Sequence, residues 1–264
     1  MEYQKPFIYI DTNFSPADGL FIKMALDSFD FELVGLSSNK SFMSSKAAGE
    51  NILGLINDEG LFLSVAKNYD DEKSARDKEI FVPVGDYLED CDACENLYDI
   101  ASDCGRLDVI ASGDVGNVAK AIRQFDDFVD YIDHIFLFIP KLKDLSKDKL
   151  SDLDLILSSG IKLFVIEEKF AEKFILSDKD LADIKKTSSS LEKILIDYDE
   201  EPLKAALLLY LSQSPEAFIF EEAGLKVNFD EKFLDRSNSR PKAYLVNKVN
   251  EASFYDYLRG VLCK

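Results

Sequence analysis

Tryptophan is absent from this chain of 264 residues, histidine occurs once, as His134, and cysteine only four times. These scarcities exclude several chemistries. A structural zinc site needs four well-placed ligands. Three cysteines do share the stretch CDACENLYDIASDC (91–104), but no second Cys-x-x-Cys exists and His134 stands apart in the apolar segment IDHIFLF. The cysteines therefore read as reduced and incidental, with Cys94 near the start of a helix and its thiol somewhat activated. Long apolar runs are also missing. The longest, such as AALLLYL (205–211), fall far short of a bilayer's width. Positive charge is scarce too: 31 basic residues face 50 acidic ones, and the formal charge of −19 repels phosphate backbones and anionic lipid surfaces. Neither nucleic acid nor a membrane is an expected partner. Met1 leads into EYQK and then a strand, without the basic and apolar regions of a secretory signal, so the expected location is cytoplasmic.

What is present is an ordinary globular composition, 47% hydrophobic and 12% aromatic, with no linker and no internal repeat, so residues 1–264 are expected to form one domain. Apolar patterns of strand and helix type take turns. FIYID (7–11) reads as a strand, 17–29 as a helix, FELVGLSS (31–38) as a strand, 44–58 as a helix and LFLSV (61–65) as a third strand. Further on come a helix at 94–102, a strand at 107–112, a helix at 115–125, a strand at 134–140, a helix near 149–159 and a strand at 161–166. Helical patterns at 180–195 and at 201–215, with Pro202 in the first turn of the latter, precede a strand at 242–249 and a helix at 251–262. The alternation predicts an α/β fold: βαβ units, a mostly parallel sheet, helices on both faces. Ligands of such sheets collect at the carboxyl ends of the strands, here Asp11, Ser37–Asn39, Ser112–Gly116, Ile139 and Ile166.

The stretch FIYIDTNFSPADGLF (7–21) sits at such an end. Asp11, Asn13 and Asp18 could converge oxygens on one point, and oxygens suit calcium or magnesium. Alternatively, Asp11 bonds the turn after its strand and Asp18 caps the helix that follows.

The chain resembles the inosine-uridine-preferring nucleoside hydrolase family, whose N-terminal signature is a strand followed by Asp-x-Asp-Pro-Gly-x-Asp-Asp-Ala. Laid over DTNFSPADG (11–19), the first Asp is Asp11, the second is replaced by Asn13, Pro-Gly by Phe14–Ser15, the third Asp by Ala17, and the fourth is Asp18. The resemblance continues in order: FELVGLSS with SSKAAGENILGLI, then LDVIASGDVGNVAKAI beside the family's Gly-x-x-Thr-Asn segment, SSGIKLFVI, EEPLKAALLLYL where the family has His-Asp-Pro, and KAYLVNKVNEASFYDYLRGVL.

That resemblance implies a nucleoside-hydrolase-like, Rossmann-like fold. It also implies cleavage of the N-glycosidic bond of ribonucleosides with the help of calcium, and an oligomer of the chain with itself. Carried over, the calcium ligands would be Asn13, Asp18, the carbonyl of Gly116 and Glu201. Asn13 would replace the general base, Glu200 would stand where the leaving group's acid stands, and Ala17 would lack a ribose contact. Asn39 would be the counterpart of the turn after the second strand. An Asn cannot take the proton of the attacking water, and loss of a general base removes roughly 10²–10⁴ in rate. The family's Gly-Gly after the middle strand is replaced by IPK (139–141), and its ribose-binding Glu-Phe-Asn segment has no match. The expectation is therefore a hydrolase-family protein with a depleted calcium and ribose site and reduced or lost classical activity, in which Asp11 or Asp18 substitutes as base if any reaction remains. The alternative is a non-catalytic sensor, subunit or interaction protein that binds a nucleoside or pentose.

Overall fold

The computed structural model describes residues 5–68, 73–85 and 87–263. Nine strands join one sheet in the order β3-β2-β1-β4-β5-β6-β9-β7-β8. They are β1 (Phe7–Thr12), β2 (Glu32–Ser38), β3 (Val65–Lys67), β4 (Leu107–Ala111), β5 (Ile132–Ile139), β6 (Lys162–Glu167), β7 (Phe218–Asn228), β8 (Phe233–Arg236) and β9 (Lys242–Val249). The pairings from β3 through β9 are parallel, whereas β7 is antiparallel to both β9 and β8. The expected mostly parallel α/β sheet is the fold observed.

Strand alternation divides the core into two layers. Ile8, Ile10, Phe136, Phe138, Phe164 and Ile166 face helices α1 (Pro16–Asp27), α2 (Ser45–Asp58), α9 (Lys204–Gln213) and α10 (Glu251–Leu262). Tyr9, Val109, Ile135, Leu137, Leu163 and Val165 face α3 (Ala93–Cys104), α4 (Gly116–Gln124) and α5 (Lys147–Ser158). β1 lies between β2 and β4, and the chain leaves it in one direction for β2 and later in the other for β4. This is the switch point of the sheet, where the loops after β1 and β4 diverge and leave a crevice.

Local chemistry sets the element boundaries. Ser15 caps α1 and forms a reciprocal capping box with Asp18, with Pro16 in the first turn. Asp92 and Glu95 form the same box on α3, which ends at Gly105 with φ 69°.

Several boundaries differ from the sequence reading. Gly60 adopts φ 70° and the Leu61 N–H turns back to the Ile56 carbonyl, so the chain must return from α2 before it can pair. The third strand therefore begins at Val65, and Phe62 is left 83% exposed. The 180–195 pattern is two helices, α7 (Asp178–Lys185) and α8 (Ser189–Ile194), because Ser188 caps the second; α6 (Glu168–Ala171) is a single turn after β6. Pro202 precedes α9 and is not in its first turn: the Leu203 N–H is spent on the Phe174 carbonyl. β7 and β8 carry no clean alternation and were not expected.

Candidate functional site

Three loops meet at the carboxyl ends of β1, β2 and β4, and the polar side chains there are almost entirely buried. Asp11 ends β1. Its Oδ1 accepts from Ser37 Oγ at 2.9 Å, Asn117 Nδ2 at 2.8 Å and, more loosely, Asn39 Nδ2 at 3.5 Å. Its Oδ2 has no protein partner, and neither does the Oδ1 of Asn39 or of Asn117. Burial pushes the Asp11 carboxyl up to about 7, against the pull of those hydrogen bonds and with the Asp114 charge adding to the rise. Beside it, Thr12 Oγ1 and Ser112 Oγ lie 2.7 Å apart and tie the β1 loop to the β4 loop.

Asn13 is bound into the chain itself. Its Oδ1 accepts the backbone N–H groups of Phe42 at 3.1 Å and Met43 at 2.9 Å, while its Nδ2 donates to the carbonyls of Asn39 and, at 3.3 Å, Met43. Both lone pairs and both hydrogens are used. Phe14 turns into the core, edge-on to Phe81 with ring centroids 6.1 Å apart, and Gly19 lets it pack against α1: a Cβ there would meet the Phe14 ring at 3.3 Å.

A second group forms at the start of α1. Asp18 Oδ2 accepts from Ser15 Oγ at 2.9 Å, and its Oδ1 is buried without a partner. Glu201 Oε2 accepts the N–H of Ala17 at 3.0 Å, so the helix N-terminus holds this carboxylate as well. Burial raises the Glu201 carboxyl, the Asp18 charge raises it further, and Ser15, Ala17 and Lys204 oppose the rise. Ala17 itself is buried and contributes its backbone. Glu200 sits in the left-handed region at φ 48° in the loop before α9. Gly116 opens α4, and its N–H donates to Asp114 Oδ1 at 3.0 Å.

The structure thus brings Asp18 and Glu201 together and joins Asp11 to Asn39. It spends Asn13 on a loop and bonds Gly116 to Asp114. These residues do not fit the calcium cage implied by the resemblance, because the Asn13 oxygen is already saturated by the Phe42 and Met43 N–H groups. Cys94 also departs from expectation. Although it lies at the start of α3, burial and the neighbouring Asp92 push its thiol up to about 12, the opposite of activation.

A cavity of about 400 Å³ opens beside this cluster, walled by Ser112, Gly113, Phe138, Leu153, Lys149 and Lys204. The two lysines were not anticipated. Lys204 lies within EEPLKAALLLYL but no role marks it there, and Lys149 lies in a segment without a counterpart in the resembled family. Ser37 and Asn117 did lie within strand-end or motif segments, and their position was the available signal.

No protein-family model matches the sequence, and no curated protein matches it. Solved structures do match in shape. The purine-preferring ribonucleoside hydrolase from Gardnerella vaginalis superposes with a TM-score of 0.82 at 15% identity, over 97% of this chain and 98% of that one. The inosine-uridine preferring nucleoside hydrolase from Bacillus anthracis gives 0.82 at 12%, over 97% and 99%, and a plant nucleoside hydrolase 0.77 at 16%, over 97% and 98%. The chain has the fold of the nucleoside hydrolases over nearly its full length.

Proposed function

We propose that this chain is a nucleoside-hydrolase-fold protein without calcium-dependent hydrolysis, and that it binds a small ribosyl ligand, a nucleoside or pentose, as a sensor or subunit. One observation carries this reading: the Asn13 side chain is fully engaged by the loop from Asn39 to Met43, so it can neither accept a proton from water nor turn an oxygen to a metal.

Binding remains chemically supported. The buried oxygens of Asp11, Asn39, Asn117 and Asp18 that lack protein partners are all acceptors once Asp11 is ionised. An unmet buried acceptor costs about 1–3 kcal/mol, which a ligand hydroxyl would offset by donating to it. The cavity at the switch point of the sheet is where such a ligand would enter. The formal charge of −19 argues against a nucleic-acid ligand.

A panel of nucleosides incubated with calcium and followed by chromatography is expected to release no base, while calorimetry registers binding of a nucleoside or pentose. Calcium-dependent release of base would overturn the non-catalytic reading. Absence of heat with every nucleoside and pentose would leave an interaction protein on this fold.

A further inference from the structure

The walls of the cavity are richer in positive charge than the protein's composition predicts. Lys204 Nζ lies 5.1 Å from the centre of the Phe138 ring, and among the described residues no carboxylate stands within ion-pair distance of it; Glu201 acts on it only at longer range. Lys149 Nζ is 2.7 Å from Asp114 Oδ2, and Asp114 is further satisfied by the Gly116 N–H. The other acid on the wall, Asp144, is exposed. Val115, on the same wall, precedes the nine-residue helix α4, whose first N–H, that of Gly116, is already taken by Asp114 Oδ1. The Asn39 amide packs directly on Gly113 in this wall, where a Cβ would meet its Oδ1 at 2.6 Å, and that buried Oδ1 has no partner.

An ammonium without an ion pair and a second lysine attract an anion, while the unmet Asn39 amide oxygen against Gly113 asks for a donor. Neutral pentoses supply only the donor; inorganic phosphate supplies mainly the charge. We propose, building on the ribosyl-binding reading above, that the cavity takes a pentose phosphomonoester, free or within a nucleoside monophosphate, with its phosphate at Lys204 and Lys149 and its hydroxyls toward Asn39. The phosphate shares Lys149 with Asp114, and Lys204 supplies the charge that no ion pair among the described residues engages.

Calorimetric titrations of the whole protein with ribose 5-phosphate, uridine 5′-monophosphate, ribose, uridine and inorganic phosphate separate the cases. A phosphorylated ligand is expected to bind at least about tenfold tighter than its unphosphorylated form, consistent with one charge-assisted contact. That preference should weaken as salt rises. Lys204→Met should abolish it and Lys204→Arg should keep it, with thermal melting verifying that both variants fold. Ribose or uridine binding as tightly as the phosphorylated form would overturn the proposal while leaving the ribosyl-binding reading intact. Inorganic phosphate binding as tightly as ribose 5-phosphate would overturn the pentose assignment. Silence from all five would overturn the phosphomonoester proposal, and silence from the full nucleoside and pentose panel as well would overturn the ribosyl-binding reading.

Discussion

Asn13 grips Met43 from both sides of one peptide segment: its Oδ1 accepts the Met43 N–H at 2.9 Å and its Nδ2 donates to the Met43 carbonyl at 3.3 Å. Only a carboxamide can do both. A carboxylate at this place would face two carbonyl oxygens with nothing to donate.

Asn13→Asp is accordingly expected to destabilise the protein by about 2–4 kcal/mol, the cost of two carbonyls losing their donor. It should also fail to confer calcium-dependent release of base. Urea unfolding and the nucleoside assay check the two halves separately, and an Asn13→Asp variant as stable as the parent would refute the account of the loop.

Asp11 makes stability depend on pH. Its carboxyl titrates near 7 in the fold, against an ordinary value of 3.8 when unfolded. Between those values the folded state holds a proton that the unfolded state has lost, so stability falls by a few kcal/mol as pH rises from about 4 to about 7 and then levels off. Asp11→Asn keeps an oxygen for Ser37, Asn39 and Asn117 and cannot ionise. Denaturation measured at pH 5 and pH 8 should show a loss in the parent that is reduced in Asp11→Asn, with the variant the more stable of the two at pH 8.

Gly113→Ala tests the packing of the cavity wall. The added methyl would sit 2.6 Å from Asn39 Oδ1 and 2.9 Å from its Nδ2, displacing the amide from Asp11. Overpacking of this kind costs about 1–3 kcal/mol. A melting temperature equal to the parent's would show that Asn39 moves freely.

Thiol reactivity distinguishes the buried Cys94 from the exposed Cys263. Iodoacetamide at pH 8 should modify Cys263 first and leave Cys94 untouched in the native protein, with its thiol held near 12. Peptide mapping by mass spectrometry reads the order, and early alkylation of Cys94 would contradict the burial argument.

The sequence by itself determined the parallel part of the sheet and most of its helices, because alternating apolar periodicity and N-caps such as Ser15 and Asp92 are local signals. It also located Asp11, Asn39 and the β4–α4 loop at strand ends, where the site lies. Tertiary structure alone decided what those residues do. Asn13 meets Phe42 and Met43, and Asp11 meets Asn117, only because the β1–β2 and β1–β4 registers place those distant segments side by side. β7 was hidden because Phe218–Gly224 pair with β9 and Leu225–Asn228 with β8, so its two faces are buried unevenly along its length. Lys204 is an ordinary lysine in the sequence, and it becomes a cavity cation because α9 sets it over Phe138 from β5. Burial, partner count and charge environment are properties of the assembled molecule, and they turn a worn acidic motif into a buried hydrogen-bonding frame.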